Sequence, residues 1–291
     1  MSYDQYSPTG FRVLPPVVKN IIIINVLFFL ATFGLGSALN IDLLDTLGLH
    51  YFASSKFHPY QFITYMFMHG GFSHIFFNMF ALWMFGSVLE NVWGPRRFII
   101  FYLVTGIGAA LTHYLIFYIE INPVLNLMEQ FLNNPTVATL QPFIASHKFH
   151  VDPNSPELYD MFQRFSSSLG ILQTDPGNVQ ALQTCVSFVS TYKEHFLDLP
   201  TVVGASGAIY GLLLAFGMLF PNSLIYLYFF IPIKAKWFVI IFGVIELVSG
   251  FLDTGGNVAH FAHLGGMIFG FFLIIYWRNK NRRQRMNYWN Q

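Results

Sequence analysis

Cysteine and charge are what this chain has least of. Its single cysteine, Cys185, excludes an intramolecular disulfide and leaves no thiolate pattern for a zinc site. Charged residues make up 10% of 291, whereas a soluble domain carries about a quarter. The formal net charge of +1 carries no pointer to nucleic acid. No internal repeat stands out. A cleavable leader is not expected either: Ile21 to Leu39 is longer than a leader's apolar core and has no clear cut site, so it reads as a retained helix.

What is present is apolar. Hydrophobic residues reach 54% and aromatics 19%, with 34 Phe, and the mean hydropathy is +0.51. That composition predicts a membrane protein, and the apolar runs make an all-α polytopic one the expectation. Six candidate spans, each near the length that crosses a bilayer, fall at 20–39, 62–88, 98–118, 202–220, 237–252 and 257–277. Pro221 to Lys234, including Tyr226-Leu227-Tyr228-Phe229 and Pro232, reads as an interfacial loop, because Pro232, Lys234 and Lys236 interrupt it.

Counting Lys and Arg orients the spans. With the N-terminus inside, the inner segments hold eleven (Arg12, Lys19, Arg96, Arg97, Lys234, Lys236, Arg278, Lys280, Arg282, Arg283, Arg285) and the outer segments four (Lys56, Lys148, Arg164, Lys193). Both termini are therefore expected in the cytoplasm, and the start of the fourth span near the outer face. The expected organisation is a cytoplasmic segment 1–19, spans one to three in 20–118, an outer-side helical insertion 119–200, spans four to six in 201–277, and a basic cytoplasmic tail 278–291. Next to a span, the run Arg278 to Arg285 reads as a lipid-facing anchor rather than a nucleic-acid patch.

The insertion differs in texture from the spans. Pro123, Pro135, Pro142, Pro153, Pro156 and Pro176 divide it into short amphipathic pieces, with helical spacing over Leu125 to Leu132, Leu158 to Leu169 and Val179 to Leu197. A small helical subdomain on the outer membrane surface is expected; the alternative is a tethered loop.

Three apolar stretches carry polar groups. Gly204-Ala205-Ser206-Gly207 opens the fourth span, and its serine is either helix-packing filler or a nucleophile. In the second span His74 and Asn78 lie at i and i+4 on one helix face, with His69 just before them. An imidazole and an amide inside apolar sequence are costly unless paired, so each is a functional candidate. In the sixth span His263, Gly266 and Gly270 share a stripe, and the glycines admit a neighbouring helix; His260 lies one turn earlier. Taken singly, each of these fits structural glue as well as chemistry.

Together they compose an acyl-transfer site. Ser206 needs a base, and His263 can supply it. Tyr210, at i+4 from Ser206, is placed to hold the imidazole. His74, Asn78 and the Ser206 backbone N–H would serve the oxyanion, with Gly204 and Ala205 counted in the same subsite. His69 and His260 are secondary candidates. No acid partner for His263 is evident, since neither Glu246 nor Asp253 has an obvious position, so the expected unit is a dyad.

These motifs, in this order on three helices, resemble the rhomboid intramembrane serine proteases: Gly204-Ala205-Ser206-Gly207 with Tyr210, His69 with His74 and Asn78, and Ala262-His263-Leu264-Gly265-Gly266 with Gly270. The resemblance covers roughly residues 15–278 apart from the insertion. It implies a six-helix core, the nucleophile on the fourth helix and the base on the sixth. It also implies oxyanion roles for His74 and Asn78, and packing of Tyr210 on the catalytic histidine. The pattern Ala-His-x-x-Gly-x-x-x-Gly selects His263 over His260, and Glu90 matches a family position that reads as structural. Two departures stand out: Tyr60-Gln61 occupies the place where the family often has Trp-Arg, in a fairly short first outer loop from Asn40 to Gln61, and the long insertion is not part of the basic core.

The resemblance implies hydrolysis of peptide bonds in or near transmembrane segments, with membrane proteins as substrates, lipid as surroundings, no nucleic-acid partner, and no metal or cofactor. The compact core suggests a bacterial inner membrane. Two rival readings are a silent relative that only binds transmembrane helices, and a metal transporter using His69, His74, His260 and His263.

Overall fold

Pro16 opens the first helix at the position where its fixed φ suits a helix and its missing N–H costs nothing. This computed structural model describes residues 10–153, 155–199, 201–227, 230–252 and 259–289; side chains are described only up to Lys280, and not at Ala259. Residues 1–9, Tyr228, Phe229, Asp253 and 257–258, which enter the sequence-based expectations, lie outside the described residues. So do the side chains of Arg282, Arg283 and Arg285.

Helix α1 spans Pro16–Leu39 and ends at Asn40, whose left-handed φ of 54° turns its N–H back to the Gly36 carbonyl at 3.2 Å. At its other end the buried Glu90 carboxylate accepts the free N–H groups of Val17 (3.0 Å) and Val18 (2.8 Å). A carboxylate there satisfies two orphan donors and complements the helix dipole. The family-matched glutamate is thus a cap for α1.

The second span begins later than its apolar run suggests. Gln61–Phe67 forms a separate short helical segment, Met68 and Gly71 are extended, and helix α2 runs Phe72–Trp93 with one wide turn at Leu82–Gly86. His69 therefore lies in the turn before the helix. Hydrophobicity alone does not register this break, because Phe62 to Met68 is as apolar as the start of α2.

Helix α3 is Pro95–Asn133, a single helix of 39 residues. The helix does not stop where the apolar span is expected to end, near residue 118: it continues through Pro123 and absorbs the Leu125 to Leu132 piece. A proline in a helix interior costs about 3 kcal/mol through a lost hydrogen bond and a clash, and burial of Ile121, Met128 and Phe131 offsets it. Pro142 likewise sits inside helix α4, Val137–Ser146. Proline is thus weaker punctuation here than the sequence implies.

The chain separates into two compact units, one holding the described residues up to Leu49, His58–Tyr114 and those from Val202 onward, the other His50–Phe57 and Leu115–Thr201. The second is helical and has its own core. After α4 it holds α5 (Pro156–Thr174) and α6 (Val179–Asp198), with Phe131, Phe143, Phe165, Phe188 and Tyr192 fully buried. Thr136 and Thr139 form a reciprocal capping box at the start of α4, and Asn178 caps α6 through the Ala181 N–H. Each buried aromatic contributes about 1.5–3 kcal/mol, which explains why this polar-rich segment folds as helices rather than as a tethered loop.

In the first unit, helix α7 (Ser206–Leu219) is followed by strands β1 (Leu224–Leu227) and β2 (Ile231–Lys234), paired antiparallel from Leu224↔Lys234 to Leu227↔Ile231. The expected interfacial loop is thus a short hairpin and not a span. Helix α8 is Ala235–Leu252 and helix α9 is Ala259–Trp289. Among the described residues five helices are long and apolar enough to cross a membrane, and the apolar α7 is shorter. Ile23, Leu27, Leu30 and Phe33 on α1 and Ile240, Val244 and Val248 on α8 are exposed, as lipid-facing surfaces require. The fold is an all-α polytopic membrane bundle with a helical insertion between its third and fourth apolar helices.

Candidate active site

Close approach of α7 and α9 builds the site. A Cβ at Gly211 would lie 2.6 Å from Thr105 Cγ2 and 3.0 Å from the Gly266 carbonyl, and one at Gly266 would overlap the Gly207 carbonyl. Only glycine permits backbones this near. The glycine stripe read from the sequence therefore faces α7, and it brings His263 to Ser206.

Ser206 is the first residue of α7. Before it, Gly204 holds φ at +121°, a conformation that L side chains rarely adopt, and its N–H donates to the Tyr65 carbonyl at 2.9 Å. This turn explains why α7 starts at 206 rather than at 202. The first-turn N–H groups have no intrahelical acceptor, so the Ser206 backbone can serve an anion.

Ser206 Oγ lies 2.8 Å from His263 Nε2. The His263 ring stacks on Tyr210, with centroids 4.1 Å apart and planes 8° from parallel. Its other nitrogen, Nδ1, lies 3.0 Å from Glu246 Oε2. A second imidazole reaches the same oxygen, His260 Nδ1 at 2.6 Å, while the Tyr210 hydroxyl donates to Glu246 Oε1. Glu246 is 6% exposed, so three donors surround a carboxylate withdrawn from solvent. Such a group is tolerable only when paired and hydrogen-bonded.

Sequence reasoning left Glu246 out. Its signal was a lone carboxylate within the fifth apolar run, which by default marks function in a membrane. The thirteen residues between it and His260 gave no hint that the two would meet. His260, a rival for the base, instead shares the carboxylate and has no described contact with Ser206. Asp253 lies outside the described residues.

On the other side of Ser206 stands α2. A Cβ at Gly204 would come within 2.7 Å of His74 Nε2 and 3.7 Å of Ser206 Oγ, so the His74 ring lies over the turn that presents the serine. His74, Asn78, Ser206, Tyr210 and His263 line one cavity of about 670 Å³, walled by Phe77, Phe80, Phe85, Phe238 and Phe242. His69 is buried and packs edge-on against His74 with centroids 4.9 Å apart, outside the cavity lining. Ala205 is fully buried directly before the serine. Glu246, His260 and His263 are also the group able to hold a metal ion among the described residues, with all three ligand atoms within 4.8 Å of one another.

Chemically, the arrangement offers a hydroxyl, an imidazole lone pair aimed at it, a carboxylate behind the imidazole, and donors around a cavity large enough for an extended peptide segment. Comparison with known proteins bears on the family. The Rhomboid domain family model matches residues 56–119 and 179–280, leaving most of the insertion unmatched. A curated relative, Rhomboid-like protein 11, chloroplastic, from Arabidopsis thaliana, is 39% identical over 57 residues, 20% of this chain. The chain spans about a fifth of the length of that relative. With a family match over more than half its length and the motif residues gathered around one cavity, the chain belongs to the rhomboid family.

Proposed function

We propose that this protein is an intramembrane serine endopeptidase that cleaves peptide bonds in or near the transmembrane segments of other membrane proteins. The observation that carries the reading is the line Ser206 Oγ, His263 Nε2, His263 Nδ1, Glu246 Oε2, with links of 2.8 and 3.0 Å. Ser206 Oγ attacks the scissile carbonyl carbon while its proton passes to His263 Nε2. Oxygen gains the negative charge, facing the Ser206 N–H with His74 and Asn78 beside it. Removing one such donor typically costs about 3–4 kcal/mol of transition-state stabilisation.

Collapse of the tetrahedral intermediate breaks the C–N bond, and His263 returns the proton to the departing amine. Water then enters by the same base catalysis and releases the acyl group from Ser206. Throughout, an acceptor at Nδ1 keeps the His263 proton on that nitrogen and the Nε2 lone pair free, a role seen in other serine hydrolases. Glu246 is thus a positioning residue added to the Ser206–His263 pair. Tyr210 holds the ring from its face.

Substrate helices must unwind locally, because an intact helix hides its carbonyls in hydrogen bonds. The eleven-to-four distribution of Lys and Arg supports cytoplasmic termini and a site opening to the opposite side, which in a bacterium is the periplasmic side of the inner membrane. The domain limits 1–19, 20–118, 119–200, 201–277 and 278–291 follow the same reading.

The test is cleavage of a transmembrane reporter in proteoliposomes, with fluorophosphonate labelling of the serine alongside. Ser206→Ala and His263→Ala are expected to abolish both signals. Undiminished cleavage by Ser206→Ala would refute the reading, and an inert wild type that neither labels nor cleaves would favour a silent binder of transmembrane helices.

A further inference from the structure

Two imidazole nitrogens and one carboxylate oxygen converge at a point that the acyl-transfer chemistry uses only in part. Catalysis needs one hydrogen bond there, from His263 Nδ1 to Glu246 Oε2. His260 Nδ1 takes no part in it, yet makes the shorter contact to the same oxygen, 2.6 Å. Tyr210 occupies the other carboxylate oxygen and leaves Oε2 facing the two rings. The donor set is therefore two histidines and one glutamate, with a hydrogen-bonded support already behind the glutamate.

We propose that Glu246, His260 and His263 form a binding site for a transition-metal divalent cation of the zinc class, and that occupancy switches the enzyme off. The second half of the proposal rests on the proposed protease function; the first does not. In a tetrahedral zinc site with bonds of about 2.0–2.1 Å, neighbouring ligand atoms lie about 3.3 Å apart. The 2.6 and 3.0 Å contacts to Oε2 need to open by about 0.7 and 0.3 Å, and the two nitrogens, within 4.8 Å of each other, need to close by at most about 1.5 Å. Two imidazoles and one carboxylate are a known zinc ligand set, and imidazole ligation favours Zn²⁺, Cu²⁺ and Ni²⁺ over Mg²⁺ and Ca²⁺. The Tyr210 hydroxyl on Oε1 is the kind of outer partner that orients a ligating carboxylate.

Inhibition follows from the tautomer. A metal takes the Nδ1 lone pair, so neutral His263 must carry its single proton on Nε2. That proton relocates from Nδ1, with no net gain or loss. Nε2–H then faces Ser206 Oγ as a donor, and no lone pair is left to accept the serine proton. Metal and working base are mutually exclusive states of one ring.

The experiment is calorimetric titration of Zn²⁺ into the untagged full chain carrying Ser206→Ala, in detergent and with chelated trace metal removed. The expected result is one saturable site, weakened in Ser206→Ala/His260→Ala by more than the roughly 10–100-fold that loss of a mere supporting partner costs a metal site. Co²⁺ in the same background is expected to give the visible absorption of a four-coordinate nitrogen and oxygen site. That band keeps the proposal testable if the double variant folds poorly. In the wild type, Zn²⁺ is expected to stop reporter cleavage, EDTA to restore it, and Mg²⁺ to do neither. Absent saturable binding, affinity unchanged by His260→Ala, or no cobalt band would overturn the site. Binding as expected, with cleavage unaffected by Zn²⁺, would overturn the switch. Binding as expected in a protein that cleaves nothing would overturn the protease reading and leave the metal site standing.

Discussion

Replacing Glu246 with Gln and, separately, with Leu separates the charge of this group from its role as an acceptor. Glutamine has nearly the same shape. Both imidazoles donate to Oε2 through Nδ1, so the amide oxygen would take that position, and the NH₂ would face the Tyr210 hydroxyl, which can accept. The His263 tautomer survives and only charge assistance is lost. A hydrogen bond to a charged group is worth about 1.5–3 kcal/mol against about 0.5–1.5 for a neutral one, and the difference of about 1–1.5 kcal/mol, at about 1.36 kcal/mol per tenfold, predicts a fall in kcat of roughly 5- to 13-fold. Leucine removes the acceptor altogether and frees the ring to adopt the wrong tautomer, where the loss approaches about 10⁴-fold. Because Glu246 sits behind His263 and does not line the substrate cavity, KM is expected to hold in both variants. The assay is reporter cleavage in proteoliposomes across substrate concentrations. If both variants keep the wild-type kcat, the carboxylate is packing and the site is a bare dyad. A rise in KM at constant kcat would also refute the reasoning.

Three further predictions concern other parts of the chain. Gly204→Ala places a Cβ against the His74 ring at a φ of +121°, a strain of about 1–3 kcal/mol, so reporter cleavage should fall at least tenfold while circular dichroism stays helical; full activity would show that the turn relaxes freely. Glu90→Ala strands the Val17 and Val18 N–H groups and should destabilise the protein by about 1.5–3 kcal/mol, read as a lowered thermal midpoint in detergent, with an unchanged midpoint as the refuting outcome. In the second unit, burial, with His150 nearby, holds the His147 imidazole below its ordinary value while its Nε2 pairs with the Tyr192 hydroxyl at 2.9 Å. A histidine whose folded pKa is depressed leaves stability intact above about pH 6.5 and erodes it as pH falls through the folded value. Hydrogen-exchange protection of Val179–Asp198, corrected for intrinsic rates, should therefore drop between about pH 7 and pH 5.5, and should not do so in His147→Phe.

Much of the site was legible because its residues are out of place in their surroundings. A serine between glycines, a histidine and asparagine one turn apart, and a histidine on a glycine stripe are conspicuous in apolar sequence, and their order along the chain identified the family. Other features were not legible. The apolar run from Phe62 onward does not reveal that the backbone breaks at Met68–Gly71, since hydropathy measures affinity for lipid and not φ and ψ. Nor does Pro123 reveal that its helix continues, because the burial that offsets a lost hydrogen bond comes from residues distant in sequence.

Composition, spacing and side-chain chemistry are local properties, so the chain's letters alone were enough for the membrane class and the order of the apolar helices, and they singled out Ser206 and His263 as candidates. What stands behind His263 depends on packing between helices. Glu246 lies on a different helix from either residue, and no periodicity connects one helix to another. It took the contact of α8 with α9 and the stacking of Tyr210 to bring one buried carboxylate under two imidazoles. A withdrawn charge must collect its partners from whichever elements pack around it.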